Sequence, residues 1–232
     1  MKRIFYTLKE KWPEYILEIL VITIGILGAF LLNSWNENYK TREEERVLLL
    51  DLKSDLEKTR KDFLLDTLYN TKGISNMRKI ESFVIENKPY ATELDSCFGT
   101  FAAWRSPYIT SSAYKALQSK GIEIIKNREL RNEIVNLYDV QLTRVAEDYD
   151  RAEWIIYESV MIPFMAKNIR RINKGSFVNA RPNDFEALKK TDEFLNILSM
   201  NIRMRKTGLD YYRMAISELD RTLSHITNEL KK

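Results

Sequence analysis

With one cysteine and one histidine in 232 residues, the chain has little material for the commonest metal and nucleophile chemistries. A lone cysteine excludes an intramolecular disulfide, so any folded domain must be held by packing alone. Cys97 sits in an aromatic-rich stretch without a local base, which suits a small buried filler better than a reactive thiol. His225 has no second histidine or cysteine nearby to share a metal or complete a nucleophile–base pair, so it reads as a satisfied or solvated surface residue. No glycine-rich phosphate loop is present. The expectation is a protein without catalytic residues, cofactor or metal. Glycine and proline are also scarce, at seven and five, and no stretch alternates apolar and polar residues long enough to claim a strand. The fold class expected is all-α. A strong excess of one charge is missing too. Half of the formal +4 lies in the first fourteen residues, and cations and anions nearly balance over the rest, so the surface does not call for nucleic acid.

What the chain does have is a long apolar run. Tyr15 to Leu32 is interrupted only by Glu18, and with Asn33 to Trp35 it is long enough to cross a bilayer, since about twenty helical residues span roughly 30 Å. Three segments follow: residues 1–14, an amphipathic cytoplasmic piece with Ile4, Phe5, Leu8 and Trp12 at helical spacing; 15–35, a transmembrane helix; and 36–232, a helical domain on the far side. Lys2, Arg3, Lys9 and Lys11 on the near flank, against first cations at Lys40 and Arg42 beyond the span, put the N-terminus inside. Trp12, Tyr15, Trp35 and Tyr39 fall where interfacial aromatics belong. Leu27, two residues before Ala29, spoils a cleavage site, so the run reads as an uncleaved signal anchor. The address expected is a bacterial inner membrane, with the C-terminal domain in the periplasm.

Beyond the span, helix follows helix. One runs from Asn36 to about Tyr69, with Leu49, Leu52, Leu56, Phe63, Thr59 and Asp66 in one register, and stops before Gly73; a second, Ile74 to Glu86, ends at Asn87-Lys88-Pro89. An aromatic connector, Tyr90 to Ser112, precedes a short helix ending at Gly121. Asn127 caps a long helix carrying Leu130 to Ile156, with Pro163 its kink or end. Asn173 to Asn183 reads as a loop. The last helix places Leu195, Leu198, Ile202, Arg205, Leu209, Tyr212, Ile216, Leu219, Leu223, Ile226 and Leu230 three and four residues apart, a heptad seam with one charged member. That seam is filled within the chain, as one side of an elongated antiparallel bundle, or by a second copy; a domain of this size needs it for its own core.

Two stretches carry a family resemblance. Glu18-Ile19-Leu20-Val21, Gly25-Ile26-Leu27 and Asn33-Ser34-Trp35-Asn36-Glu37 resemble the N-terminal signature of a large family of uncharacterised single-span membrane proteins from Bacteroidota. Ala113 to Gly121 with Ile125-Lys126-Asn127 resembles its middle region. The resemblance implies an inner-membrane protein with a helical periplasmic domain and brings no activity with it.

Two sets of residues are candidate interaction sites. At 100° per residue Glu18, Ile22, Gly25, Ala29, Asn33 and Asn36 share one small or polar face of the span, suited to close helix association. Phe98, Phe101, Trp104 and Tyr108 in the connector either line a groove or plug the end of the bundle. The function expected is an inner-membrane-anchored periplasmic scaffold or accessory subunit, its partners the lipid bilayer and either a second copy or another envelope membrane protein. A proton- or force-coupled subunit using Glu18, and a ligand-binding sensor acting through a partner, are the alternatives.

Overall fold

The computed structural model describes residues 12–172 and 179–232. The amphipathic piece expected over residues 1–14 therefore lies outside the described residues for its first eleven positions, as does 173–178 of the expected loop. The chain divides into two compact units, Met1–Leu48 and Leu49–Lys232. The fold is all-α and mostly helical, opening with a long N-terminal apolar helix, α1 (Trp12–Ile85).

In the second unit α1 does not break at Gly73, contrary to the sequence expectation of two helices. An interior glycine costs roughly 0.5–1 kcal/mol of helix stability, and here it meets a packing need: a Cβ at Gly73 would overlap the Arg205 guanidinium. The helix ends where expected. Asn87 takes a left-handed conformation (φ 48°), its N–H bonding Val84 O at 3.2 Å and that of Lys88 bonding Phe83 O at 2.9 Å, the paired C-terminal closure that a residue in this conformation permits.

The connector is partly helical, with a 3-10 turn Thr92–Leu94, α2 (Asp95–Thr100) and then an extended strap to α3 (Ser112–Lys120). Asn127 caps α4 (Arg128–Asn136), accepting from the N–H groups of Glu129 and Leu130. From α4 the chain stays helical through α5 (Arg151–Ile156) and α6 (Ile162–Asn168), with π-helical stretches at Leu137–Leu142, Arg144–Asp150 and Tyr157–Met161. Pro163 does not end this run. It sits in the first turn of α6, and the wide π turn before it accommodates the donor that proline lacks.

The residues flanking 173–178 form a short antiparallel ladder, β1 (Ile169–Arg171) with β2 (Ala180–Pro182), Arg170 opposite Arg181. Strands of three residues are too short to show an alternating pattern, so none was expected. After α7 (Phe185–Leu188) comes α8 (Asp192–Glu229). It runs antiparallel to α1, as the pairs Arg60–Asp220, Phe63–Tyr212 and Gly73–Arg205 show. It runs antiparallel to α4–α6 as well, from Asn127–Glu229 through Glu133–Arg221 to Glu153–Arg205.

The buried line of α8 coincides with the expected positions at some points and lies one residue before them at others. Leu198, Ile202, Arg205, Tyr212, Leu219 and Ile226 are buried as anticipated, while Phe194, Asn201, Gly208, Ala215 and Thr222 are buried in addition. Leu195, Leu209, Ile216, Leu223 and Leu230 are only half-buried at its edge. Small residues occupy the inner line because the helices approach closely there: a Cβ at Gly208 would overlap the ring of Tyr149. Toward the other end of the unit the core is aromatic, with Phe194 stacked on Phe98 and Phe164 at 6.1 and 5.5 Å.

Gly208→Ala discriminates between propensity and packing. In an exposed helix the change stabilises by about 1 kcal/mol, whereas here the methyl group must displace the Tyr149 ring, and we expect a loss of roughly 1–3 kcal/mol. Urea unfolding of the full chain followed by circular dichroism reads the sign, and a gain would place α8 further from Tyr149 than the structure does.

Candidate functional site

Beneath the strap, one face of α1 supplies the acceptors that irregular backbone needs. Asp55 Oδ2 accepts from the Ser112 hydroxyl at 2.7 Å and from Ala113 N at 2.9 Å, closing the N-terminus of α3 from another helix. Thr59 Oγ1 accepts from Thr110 N at 3.0 Å. Asp62 accepts from Tyr108 N at 2.8 Å and from the Arg105 guanidinium at 2.7 Å. Burial works against ionisation of Asp55, but the Ala113 and Ser112 hydrogen bonds and the nearby Lys58 outweigh it and hold the carboxyl below its ordinary range.

Deeper in the bundle lies a cluster of polar side chains. Arg205 is fully buried, with Nε 3.6 Å from Glu153 Oε1, itself 2% exposed. Asn70, Tyr149, Asp66 and Tyr212 are buried with them. Tyr212 donates to Asp66 Oδ2 at 3.1 Å, and Arg105 Nε lies 2.7 Å from Asp66 Oδ1. The three guanidinium nitrogens of Arg205 and both side-chain polar atoms of Asn70 make no hydrogen bond. Burial, and secondarily the charge of Asp62, push the Asp66 carboxyl up to about 6, against the pull of Tyr212 and Arg105. Burial also raises Glu153, opposed by Arg205.

The four connector aromatics separate. Phe98 and Phe101 are buried in the aromatic core, their rings 5.9 Å apart. Trp104 is half-buried, its indole donating to Asp150 at 2.9 Å and its ring set edge-on to Trp154 and Tyr157. Tyr108 is 73% exposed. Only Phe98 borders the groove that opens beside the connector, a cavity of about 560 Å³ whose walls include Tyr69, Ala102, Tyr157, Ile162, Met165 and Arg171. Sequence reading singled out none of those six, and only the aromatic bias of the connector pointed near them.

Glu18, Ile22, Gly25, Ala29, Asn33 and Asn36 are all exposed in the first unit, with open space where a Cβ of Gly25 would project. Asn33 donates to Glu37 at 3.1 Å. His225 is half-buried between Glu133, 3.0 Å from Nδ1, and Asn127, 3.2 Å from Nε2. Cys97 is buried, which pushes its thiol up. Among the described residues no group of three or more histidine, cysteine or acidic side chains is placed to hold a metal ion.

A family model described as a family of unknown function, DUF6090, matches residues 18–161. The chain belongs to the DUF6090 family. No curated protein and no solved structure matches it. The DUF6090 match takes in the apolar stretch from Glu18, the acceptor face of α1, the strap and the π-helical run as far as Met161. It leaves β1, β2 and α8 outside, so the buried cluster draws Asp66, Asn70, Tyr149 and Glu153 from the matched region and Arg205 and Tyr212 from beyond it.

The raised Asp66 gives a pH dependence of definite sign. An unfolded aspartate ionises near 3.9, whereas the folded one ionises at about 6. Between these values the folded state binds more protons, so this contribution is fully present below about pH 4 and is lost as pH rises through 6. Asp66→Asn removes it. Relative to wild type, the DUF6090 chain carrying Asp66→Asn should gain roughly 2–3 kcal/mol between pH 4 and pH 7. Denaturant unfolding at both pH values measures the change, and a flat difference would show that Asp66 is ionised in the folded protein at pH 4.

Proposed function

We propose that this DUF6090 protein is a non-enzymatic scaffold or accessory subunit anchored in the inner membrane by the N-terminal part of α1, presenting a helical unit in the periplasm to a second copy or another envelope protein. One observation carries the reading. The most apolar stretch of α1 is long enough to cross a membrane, and none of it is buried within the protein. In water such a stretch would far exceed the few hundred Å² of contiguous apolar surface that soluble monomers tolerate. In hydrocarbon it is at rest, because its backbone bonds are satisfied within the helix. The packed second unit supports the rest: its long helices are cross-tied by Asp55, Asp62, Arg205 and Glu133, which suits a rigid surface.

The topology has a direct check. A periplasm-active reporter fused after Lys232 should be active, and one fused after Lys11 inactive, with the protein in the membrane fraction after alkaline extraction. Release by alkali, or activity at the early fusion, would overturn the anchor or its orientation.

Association through the span is read separately. Lipid does not distinguish one apolar side chain from another, whereas a partner helix gains contact where Gly25 and Ala29 let backbones approach. Gly25→Leu or Ala29→Leu should weaken a detergent-stable crosslinked assembly several-fold, and Ile24→Ala or Leu27→Ala should not. Equal behaviour of the two pairs would leave the span a passive anchor.

A further inference from the structure

We propose that His225 is a proton-operated clasp: while neutral it ties the end of α8 to the Asn127 cap of α4, and a proton on Nε2 parts the two. The clasp lies outside the scaffold reading and does not rest on it. Its logic starts at Asn127, whose side chain has its hydrogen-bonding positions in use. Oδ1 accepts from the N–H groups of Glu129 and Leu130 at 3.1 and 3.2 Å. Nδ2 has two hydrogens to give, and it lies 2.7 Å from Glu229 Oε2 and 3.2 Å from His225 Nε2. Turning the amide over would set its donors against two backbone donors and its oxygen against a carboxylate. Its orientation is therefore fixed, and Nε2 must be an acceptor. The single proton of the neutral ring then sits on Nδ1, where Glu133 Oε2 accepts it at 3.0 Å.

A second proton reverses one end of this chain of bonds and not the other. The His225 side chain is 25% exposed, so solvent can deliver the proton. At Nδ1 the contact with Glu133 becomes a charged pair and strengthens. At Nε2 a new N–H faces the Asn127 amide, donor against donor, and the amide cannot turn over without surrendering the α4 cap. The imidazolium takes Glu229 instead, and Asn127 loses its hold on α8. The charged groups around the ring serve that exchange. They are Glu133 from α4, paired with Arg221 of α8 at 2.7 Å, and Glu229, paired with Lys232 at 2.9 Å. Lys126, beside Asn127, is engaged in a contact of its own, and from α1 Arg60 is paired with Asp220 on this half of α8. The Asn127 hydrogen bond, helped by Lys232 and His225, holds the Glu229 carboxyl below its ordinary range. Glu229 therefore stays ionised where histidine titrates, and the imidazole is the group that switches.

His225 is the only histidine, so the untagged full chain in phosphatidylcholine nanodiscs, isotopically labelled at the histidine nitrogens, reports a single imidazole by magnetic resonance. We expect the ring proton on Nδ1 at about pH 8, where histidine is neutral; a proton on Nε2 instead would overturn the clasp. Hydrogen-exchange protection at Glu129 and Leu130, corrected for the intrinsic effect of pH, should fall about fivefold from pH 8 to pH 5, as expected for the loss of a neutral hydrogen bond. His225→Gln offers an acceptor to Asn127 and a donor to Glu133 without titrating, so its protection should stay level. Asn127→Ser keeps a cap but presents no amide to the ring, and it should stay level too, which preserves the test should the Gln variant fold poorly. Wild-type protection that does not change with pH, or a fall of the same size in either folded variant, overturns the proposal.

Discussion

One line of side chains along α1 sets most of what the second unit can do. Asp55, Thr59, Asp62, Asp66, Asn70 and Gly73 follow one another three or four residues apart, then give way to Met77, Ile80 and Val84 on the same stripe. The polar half meets groups that an apolar stripe would leave unpaired: the N–H groups of Tyr108, Thr110 and Ala113 in the strap, and the Arg105 guanidinium. A buried amide without an acceptor costs about 1–3 kcal/mol, a penalty that falls most fully on the buried Ala113 N–H, so these bonds help to set where the strap lies. The strap in turn fixes Trp104 against Asp150 and holds Ala102 and Ala103 in the groove wall. The apolar half closes the aromatic core that forms the groove's other side.

The same stripe ends at a buried charge. Arg205 is held between Glu153 on α5 and the bare backbone of Gly73. Two charges taken out of water rarely repay their desolvation, but removing one partner alone is costly because it strands the other. The pair therefore contributes more to register than to stability. A slip of α8 by one turn against α5 would separate Arg205 from Glu153, and it would carry Gly208 away from the Tyr149 ring at the same time. Two independent features thus mark one alignment, which matters in a helix whose leucines and isoleucines alone would accept several.

That ambiguity explains why the sequence was legible in some places and not in others. The Asn127 cap and the helix end at Asn87-Lys88-Pro89 are legible because both signals are local, whereas the left-handed turn of Asn87 is a detail the proline alone does not announce. Thr59 and Asp66 were placed correctly in the α1 register because burial follows periodicity even for polar residues. Apolar periodicity locates Leu198, Ile202, Arg205, Tyr212, Leu219 and Ile226 on α8, but close packing selects small volumes, so Gly208, Ala215 and Thr222 lie inward where Leu209, Ile216 and Leu223 are expected. Gly73 looked like a break for a similar reason: its use depends on an arginine 132 positions away. The groove left almost no trace. Its walls come from α1, α2, the residues just after α2, the π-helical run, α6 and the ladder, and no local pattern announces a space enclosed by so many separate segments.

On the membrane-anchored reading proposed above, the polar residues of the apolar stretch follow the economy expected in hydrocarbon, where unpaired groups cost most. Thr23 returns its hydroxyl to Ile19 O at 2.7 Å, and Asn33 reaches Glu37 one turn on. Both are local bonds, made without a partner helix and therefore silent about association. Gly25 and Ala29 are different. A small side chain satisfies no bond of its own and gains nothing from lipid, so any advantage of that face over the bulky one formed by Leu20, Ile24, Leu27 and Leu31 arises only when another backbone comes close. Glu18 shares the face, and its carboxylate gains most where a facing helix or trapped water offers donors. On that proposed reading, the stretch completes its local bonds alone, and the small pair and the acid are the residues proposed to await a neighbour.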